Sequence, residues 1–110
     1  MQDNSGSRAL EKFQAWYESN CDDDWEHHYG LELTTLDNPG WAITVDLNDT
    51  DQEDHNFEET KVNYDDERDW IRVWKDGSKL KGACGPRQLD AMLLILADWL
   101  TLREPQYPSK

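Results

Sequence analysis

Basic side chains are scarce in this chain of 110 residues: 11 Lys and Arg stand against 24 Asp and Glu, a net charge of −13. A field of that sign repels phosphate. It argues against nucleic acid and anionic membrane as partners and favours basic proteins. Long apolar runs are missing too. No stretch approaches the ~18 apolar residues of a membrane-spanning helix. The first twelve residues, MQDNSGSRALEK, hold no apolar signal core, so a cytoplasmic location is expected, with both cysteines reduced.

Cysteine is limited to Cys21 and Cys84, in no CxxC pattern. With His27 and His28 they are the available soft ligands, and no pair has the spacing of a zinc ribbon or finger. Residues 46–55 superficially resemble a calcium loop. Asp51 stands where its glycine would be and Phe57 where its closing glutamate would be. There is no Gly-rich phosphate loop. Of five serines only Ser19 and Ser78 lie inside the domain, neither in a nucleophile elbow. A Cys84–His pair is the one conceivable nucleophile and base. The reading is therefore a non-enzyme with no metal and no cofactor.

What the chain does have is alternation. Leu31 and Leu33 alternate with Glu32 and Thr34, and Trp41, Ile43, Val45 and Leu47 with Ala42, Thr44 and Asp46. Period two predicts a hairpin with one buried and one wet face. Asp37-Asn38-Pro39-Gly40-Trp41 supplies the turn. A type II turn fits, with Pro39 presetting φ and Gly40 taking positive φ. Upstream, Leu10, Phe13, Trp16 and Tyr17 form a helical stripe that Ser7 can cap and that stops near Ser19-Asn20. Residues 21–30 read as a loop. Residues 48–59 read as a long, mobile acidic loop. Residues 57–64 form a weak edge strand with Phe57, Glu59, Lys61 and Asn63 on one face. Asp65 to Arg68 is a turn. Then Ile71 and Val73 face one way, and Trp70, Arg72 and Trp74 the other. Asp76-Gly77 signals a second hairpin, followed by a short strand over 78–83. Pro86 opens a helix whose stripe is Leu89, Met92, Leu93, Leu96, Trp99 and Leu100. Arg103 suits its C-terminal dipole, and Pro105 and Pro108 end it.

Strands between two helices predict an α+β domain: an antiparallel sheet of four to five strands, with an N-terminal and a C-terminal helix packed on it. The domain spans 8–104, between a flexible tail 1–7 and a C-terminal tail 105–110. Both helices cover one face, leaving the other to display a ladder of tryptophans.

The acidity is uneven. Residues 1–69 hold 20 acids and 4 bases, and residues 70–110 hold 4 acids and 7 bases. Within 46–69 there are 11 acids, with Lys61 and Arg68 the bases. Aromatic anchors inside a charged rim are what a tight protein interface uses. The candidate partner-binding residues are Asp22, Asp23, Asp24, Asp46, Asp49, Asp51, Glu53, Asp54, Asp65 and Asp66, with Trp70 or Trp74 as anchor. The tip around Asn38 and Trp41 is the alternative. The same tryptophans could stack on a sugar, which keeps a carbohydrate- or small-ligand-binding module open, and a wet sheet face equally suits a homodimer.

Several blocks together carry a family resemblance. They are Trp16-Tyr17, Cys21 before Asp22-Asp23-Asp24, Trp25-Glu26-His27 with Tyr29-Gly30, and Thr35-Leu36-Asp37-Asn38-Pro39-Gly40-Trp41. Val45-Asp46-Leu47, Thr50, Asp69-Trp70 and a Leu-rich helix ending in Trp99 complete them. Over roughly residues 9–100 the chain resembles the immunity protein 53 family of bacterial polymorphic toxin systems. The resemblance implies a small cytoplasmic protein that binds and neutralises a toxin domain. It carries over no contact residues. An acidic partner fits a basic toxin, such as one that attacks nucleic acid.

Overall fold

The alternation that starts at Leu31 becomes the first hairpin of a five-stranded sheet. A computed structural model describes residues 5–101. Its strands are β1 (Leu31–Leu36), β2 (Gly40–Asp46), β3 (Thr60–Val62), β4 (Ile71–Asp76) and β5 (Lys79–Cys84). All pair antiparallel, in the order β1-β2-β5-β4-β3. The helices are α1 (Ser5–Asn20), a single turn α2 (Trp25–His28) and α3 (Leu89–Leu100). The expected α+β architecture, two terminal helices on an antiparallel sheet, is the one observed.

The register explains the core. Ile43 pairs with Gly82, which pairs with Val73. Val45 pairs with Leu80, and Ile71 with Cys84. Paired residues share a face, so these apolar groups line one side of the sheet and are buried there. Met92, Leu93, Leu96 and Leu100 of α3 join them, and α1 packs beside α3 through Ala9, Phe13 and Trp16. Lys12 of α1 and Asp98 of α3 form an ion pair at the rim of that contact. The opposite face carries Thr44, Lys81, Arg72 and Trp74 and contributes nothing to the buried cluster.

Several expectations need correction. Gly40 does not sit at positive φ in a type II turn. It is the first residue of β2, paired with Leu36, and the connection is the three residues Asp37, Asn38 and Pro39. Glycine is required there for another reason: a Cβ would lie 2.3 Å from the Cys84 carbonyl oxygen of β5. The hairpin also lacks the expected buried face on its first strand. Leu31 and Leu33 are 37% and 41% exposed, because β1 is the sheet edge and the helices stop short of it. The weak strand over 57–64 shortens to β3, with Thr60 and Val62 as its half-buried side. The wet face holds no tryptophan ladder. Trp41 points to the helix side, and Trp16, Trp25 and Trp99 pack in or against the core. Ser7 is inside α1 rather than its cap, since the helix begins at Ser5. Arg103, Pro105, Pro108, the tail 105–110 and residues 1–4 of the other tail lie outside the described residues.

Candidate protein-binding surface

The antiparallel order sends the acidic segments to two opposite ends of the sheet. Residues 47–59 leave β2 at one end. Residues 63–70, between β3 and β4, turn at the other, beside the β1–β2 connection. The six residues of β4 separate these ends by about 17 Å.

At the first end the acidic segments hold the fold together. The Asp22 carboxylate accepts hydrogen bonds from the backbone N–H of Asp24 and Trp25, at 3.0 and 2.9 Å. Glu26 answers by accepting from the N–H of Asp22 and Asp23. This reciprocal capping explains why α2 forms out of a run of aspartates, and Asp23 takes φ 75° within it. The N–H groups of Trp25 and Asp24 hold the Asp22 carboxyl below its ordinary value. Glu26 is lowered likewise by its own N–H and those of Asp22 and Asp23. The Trp25 indole, edge-on to Trp16 at 5.8 Å, donates to the Asn48 carbonyl at 2.8 Å. Asp22–Asp24 and Asp46–Asp54 are thereby brought to one end.

The 47–59 segment is tied in at several points, against the expectation of a mobile loop. Gln52 accepts from the Trp16 indole at 2.9 Å and donates to the Leu100 carbonyl at 3.1 Å, joining α1 to α3. Lys75 donates to the carbonyls of Glu53 and His55. Phe57 packs edge-on against Trp99 at 5.4 Å. Glu53 accepts from the Asp49 N–H, and Asp46 holds Asn48 and Lys79. Asp23, Asp24, Asp49, Asp51 and Asp54 remain exposed there.

The second end is built differently. Asp66 folds the turn by accepting from the N–H of Arg68 and Asp69, at 2.8 and 3.0 Å, and these bonds lower its pKa. Gly85 clamps the turn to β5: its N–H donates to the Trp70 carbonyl at 2.9 Å, and a Cβ would fall 2.0 Å from the Arg68 oxygen. The result is an open notch of about 580 Å³ lined by Asn38, Tyr64, Asp65, Asp66, Glu67 and Trp70. Tyr64 is half exposed and stands edge-on to Trp70 at 6.0 Å. Carboxylates beside aromatic rings can hold a lysine or arginine side chain by charge and by cation–π contact. Asp65, Asp66 and Trp70 therefore meet, together with the Asn38 tip, while Asp46, Asp49, Asp51, Glu53 and Asp54 do not join them. Tyr64 and Glu67 were missed by sequence reasoning. The signal that could have found them is the bracketing of an acidic turn by two aromatics, Tyr64 before it and Trp70 after it.

Trp74 lies apart from both ends, on the open face. The Arg72 guanidinium covers its ring at 4.0 Å and is held in turn by Glu59 at 2.7 Å. That hydrogen bond lowers Glu59 and raises Arg72. Cys84 is buried, and burial pushes its thiol up to about 11. It pairs with Trp41 and Ile71 at the notch end of the sheet, whereas His27 and His28 precede β1 and His55 follows β2 at the other, so a Cys84–His pair is not formed. Among the described residues no group of three or more His, Cys, Asp or Glu could hold a metal ion, and no helix is long and apolar enough to cross a membrane.

Fold and surface together define a small acidic α+β domain with an aromatic, carboxylate-lined notch at one end of its sheet. The model of the immunity protein 53 family matches residues 10–101, and the chain belongs to that family. No curated protein and no solved structure matches it.

Proposed function

We propose that the chain is a toxin-neutralising immunity protein that binds and blocks a basic toxin domain, and that it is not an enzyme. Family membership supports a protein partner in general. The observation that carries the finer reading is the notch, where Tyr64 and Trp70 stand among Asp65, Asp66 and Glu67. A basic side chain of the toxin enters it, the rings supply the buried anchor, and the carboxylates neutralise the charge. The exposed acids of 22–24 and 49–54 add long-range attraction, which speeds encounter and weakens with salt. A toxin that attacks nucleic acid has a cationic site, and such carboxylates occupy it as phosphate would. The sugar-binding alternative loses support because Arg72 covers the ring of Trp74, one of its two stacking platforms.

Growth rescue tests this reading. The toxin domain encoded beside the gene is expressed in a bacterial host with and without the chain. Restored colony formation and a co-purifying complex are expected. Persistent killing with the chain folded and abundant would overturn the proposal.

A further inference from the structure

The two edges of the sheet differ in how well they are protected. β3 is three residues long, carries Lys61 and follows Glu58 and Glu59. A short, charged edge resists further pairing. β1 has six residues in unbroken register with β2, no proline, and Glu32 as its one charge.

The hydrogen-bond phase identifies what this edge offers. Asp46 donates its N–H to the Gly30 carbonyl at 2.9 Å, so residues 30, 32, 34 and 36 bond toward β2. Leu31, Leu33 and Thr35 point their N–H and C=O groups away from it. Because β1 is the edge of the sheet and pairs with β2 alone, these groups face no neighbouring strand among the described residues. The same residues carry the exposed Leu31 and Leu33 side chains on the helix side. On the other face a cavity of about 330 Å³ opens at the start of β1, lined in part by Glu32, Thr44, Asp46 and Lys79. Lys79 pairs with Asp46 at 3.4 Å, while Glu32 has no ion pair among the described residues. The edge therefore displays an apolar row on one face and a free carboxylate over a cavity on the other.

We infer that β1 is a docking edge for an extended segment of the toxin, which joins the sheet as a sixth strand with apolar residues over Leu31 and Leu33 and, alternating with them, a basic side chain at Glu32. The toxin as occupant rests on the immunity reading. The preference for a basic segment rests on the edge and on charge: two copies of a chain at −13 repel each other, and a self-paired β1 brings no cation to Glu32. Backbone bonding supplies the affinity and the alternate side chains the selectivity, as in other strand additions.

Hydrogen exchange on the full chain, free and bound to the toxin domain, tests it. In the free chain the amides of Leu31, Leu33 and Thr35 exchange quickly, and in the complex they become at least tenfold slower. Leu33→Pro removes an outward-facing N–H and one side chain of the apolar row but no bond to β2, so the sheet stays intact and the affinity for toxin falls at least tenfold. Leu33→Lys, which keeps the N–H, weakens binding by placing a charge against the guest's apolar row and covers the case in which the proline variant misfolds. A tight complex in which the three amides exchange as in the free chain overturns this inference and leaves the immunity reading standing. Absence of any complex overturns both. Protection of these amides in the free chain shows self-pairing instead and also overturns it.

Discussion

The two ends of the sheet are made of similar residues and do different things. Both carry runs of acids flanked by tryptophan. At the 47–59 end the polar groups turn inward: Asp22 and Glu26 build α2, Gln52 joins α1 to α3, and the Trp25 indole is bonded to Asn48. At the 63–70 end one carboxylate, Asp66, folds the turn, and that leaves Asp65 and Glu67 beside two aromatic rings in an open notch. Acidity alone thus does not mark an interface. What separates the ends is burial of the aromatic groups between the acids: Trp25 is 3% exposed, whereas Tyr64, with the Lys61 ammonium 5.1 Å from its ring, is 50% exposed.

The largest expected effect falls on binding at the notch. Trp70→Ala should cost about 2–4 kcal/mol of affinity for the toxin domain in calorimetric titration, the range of an interface anchor. Asp51→Asn at the other end should change the association rate a few-fold and the dissociation rate hardly at all. A deep loss of affinity from Asp51→Asn would reverse the comparison.

Next in size is the clamp beneath the notch. Gly85→Ala forces a Cβ onto the Arg68 carbonyl, which cannot move without breaking the turn. Urea unfolding should show a destabilisation of about 2–3 kcal/mol, typical of overpacking against backbone. Gln52→Ala removes two hydrogen bonds between helices and should cost about 1–2 kcal/mol by the same measurement, with unchanged affinity. Loss of affinity in this variant would show that the 47–59 segment itself contacts the partner.

The smallest effects are on pH dependence and thiol reactivity. Asp22, Glu26, Glu59 and Asp66 all have lowered folded pKa values, from ordinary values of 3.8 for the aspartates and 4.5 for the glutamates. Below its ordinary value each group is protonated first in the unfolded chain, so the stability it contributes is present above that value and is lost as the pH falls through the lower folded one. The urea midpoint should stay level from neutral pH to about pH 5 and fall below that, more gently in Asp22→Asn and Asp66→Asn. Cys84 runs the other way. Its folded value near 11 exceeds the ordinary 9.0, so its contribution is present below pH 9 and is lost as the pH rises from there toward 11. Under native conditions at pH 8, Cys21 should react with a thiol reagent well before the buried Cys84.

Much of this was legible in the sequence, for definite reasons. The stripes of Phe13 with Trp16 and of Met92 with Leu96 and Leu100 were readable because three- and four-residue spacing places them on one helix face. The alternation of Ile71 with Val73 located β4 and its buried side. The exposed Leu31 and Leu33 misled, because alternation reports which residues share a face and not whether a helix covers it. Gly40 misled because glycine permits both positive φ and close approach, and sequence alone does not say which is in use. α2 was hidden behind Asp22-Asp23-Asp24, since a single helical turn is too short to show a stripe and its local hydrogen bonds to Asp22 and Glu26 lie in a run that reads as a polar loop. The split of the acidic surface was hidden in topology. Asp54 and Asp65 are near in sequence, but β3 lies between their segments and carries them to opposite ends.

The most direct test of the account is a growth rescue run on two multiply substituted chains. One carries Asp65→Asn, Glu67→Gln and Trp70→Ala in the notch. The other carries Asp49→Asn, Asp51→Asn and Asp54→Asn at the opposite end, with both confirmed folded by their urea transitions. The expected result is that the notch variant no longer protects cells from the toxin domain while the loop variant does. Protection by the notch variant together with killing in the presence of the loop variant would contradict the account and move the binding surface to the 47–59 end.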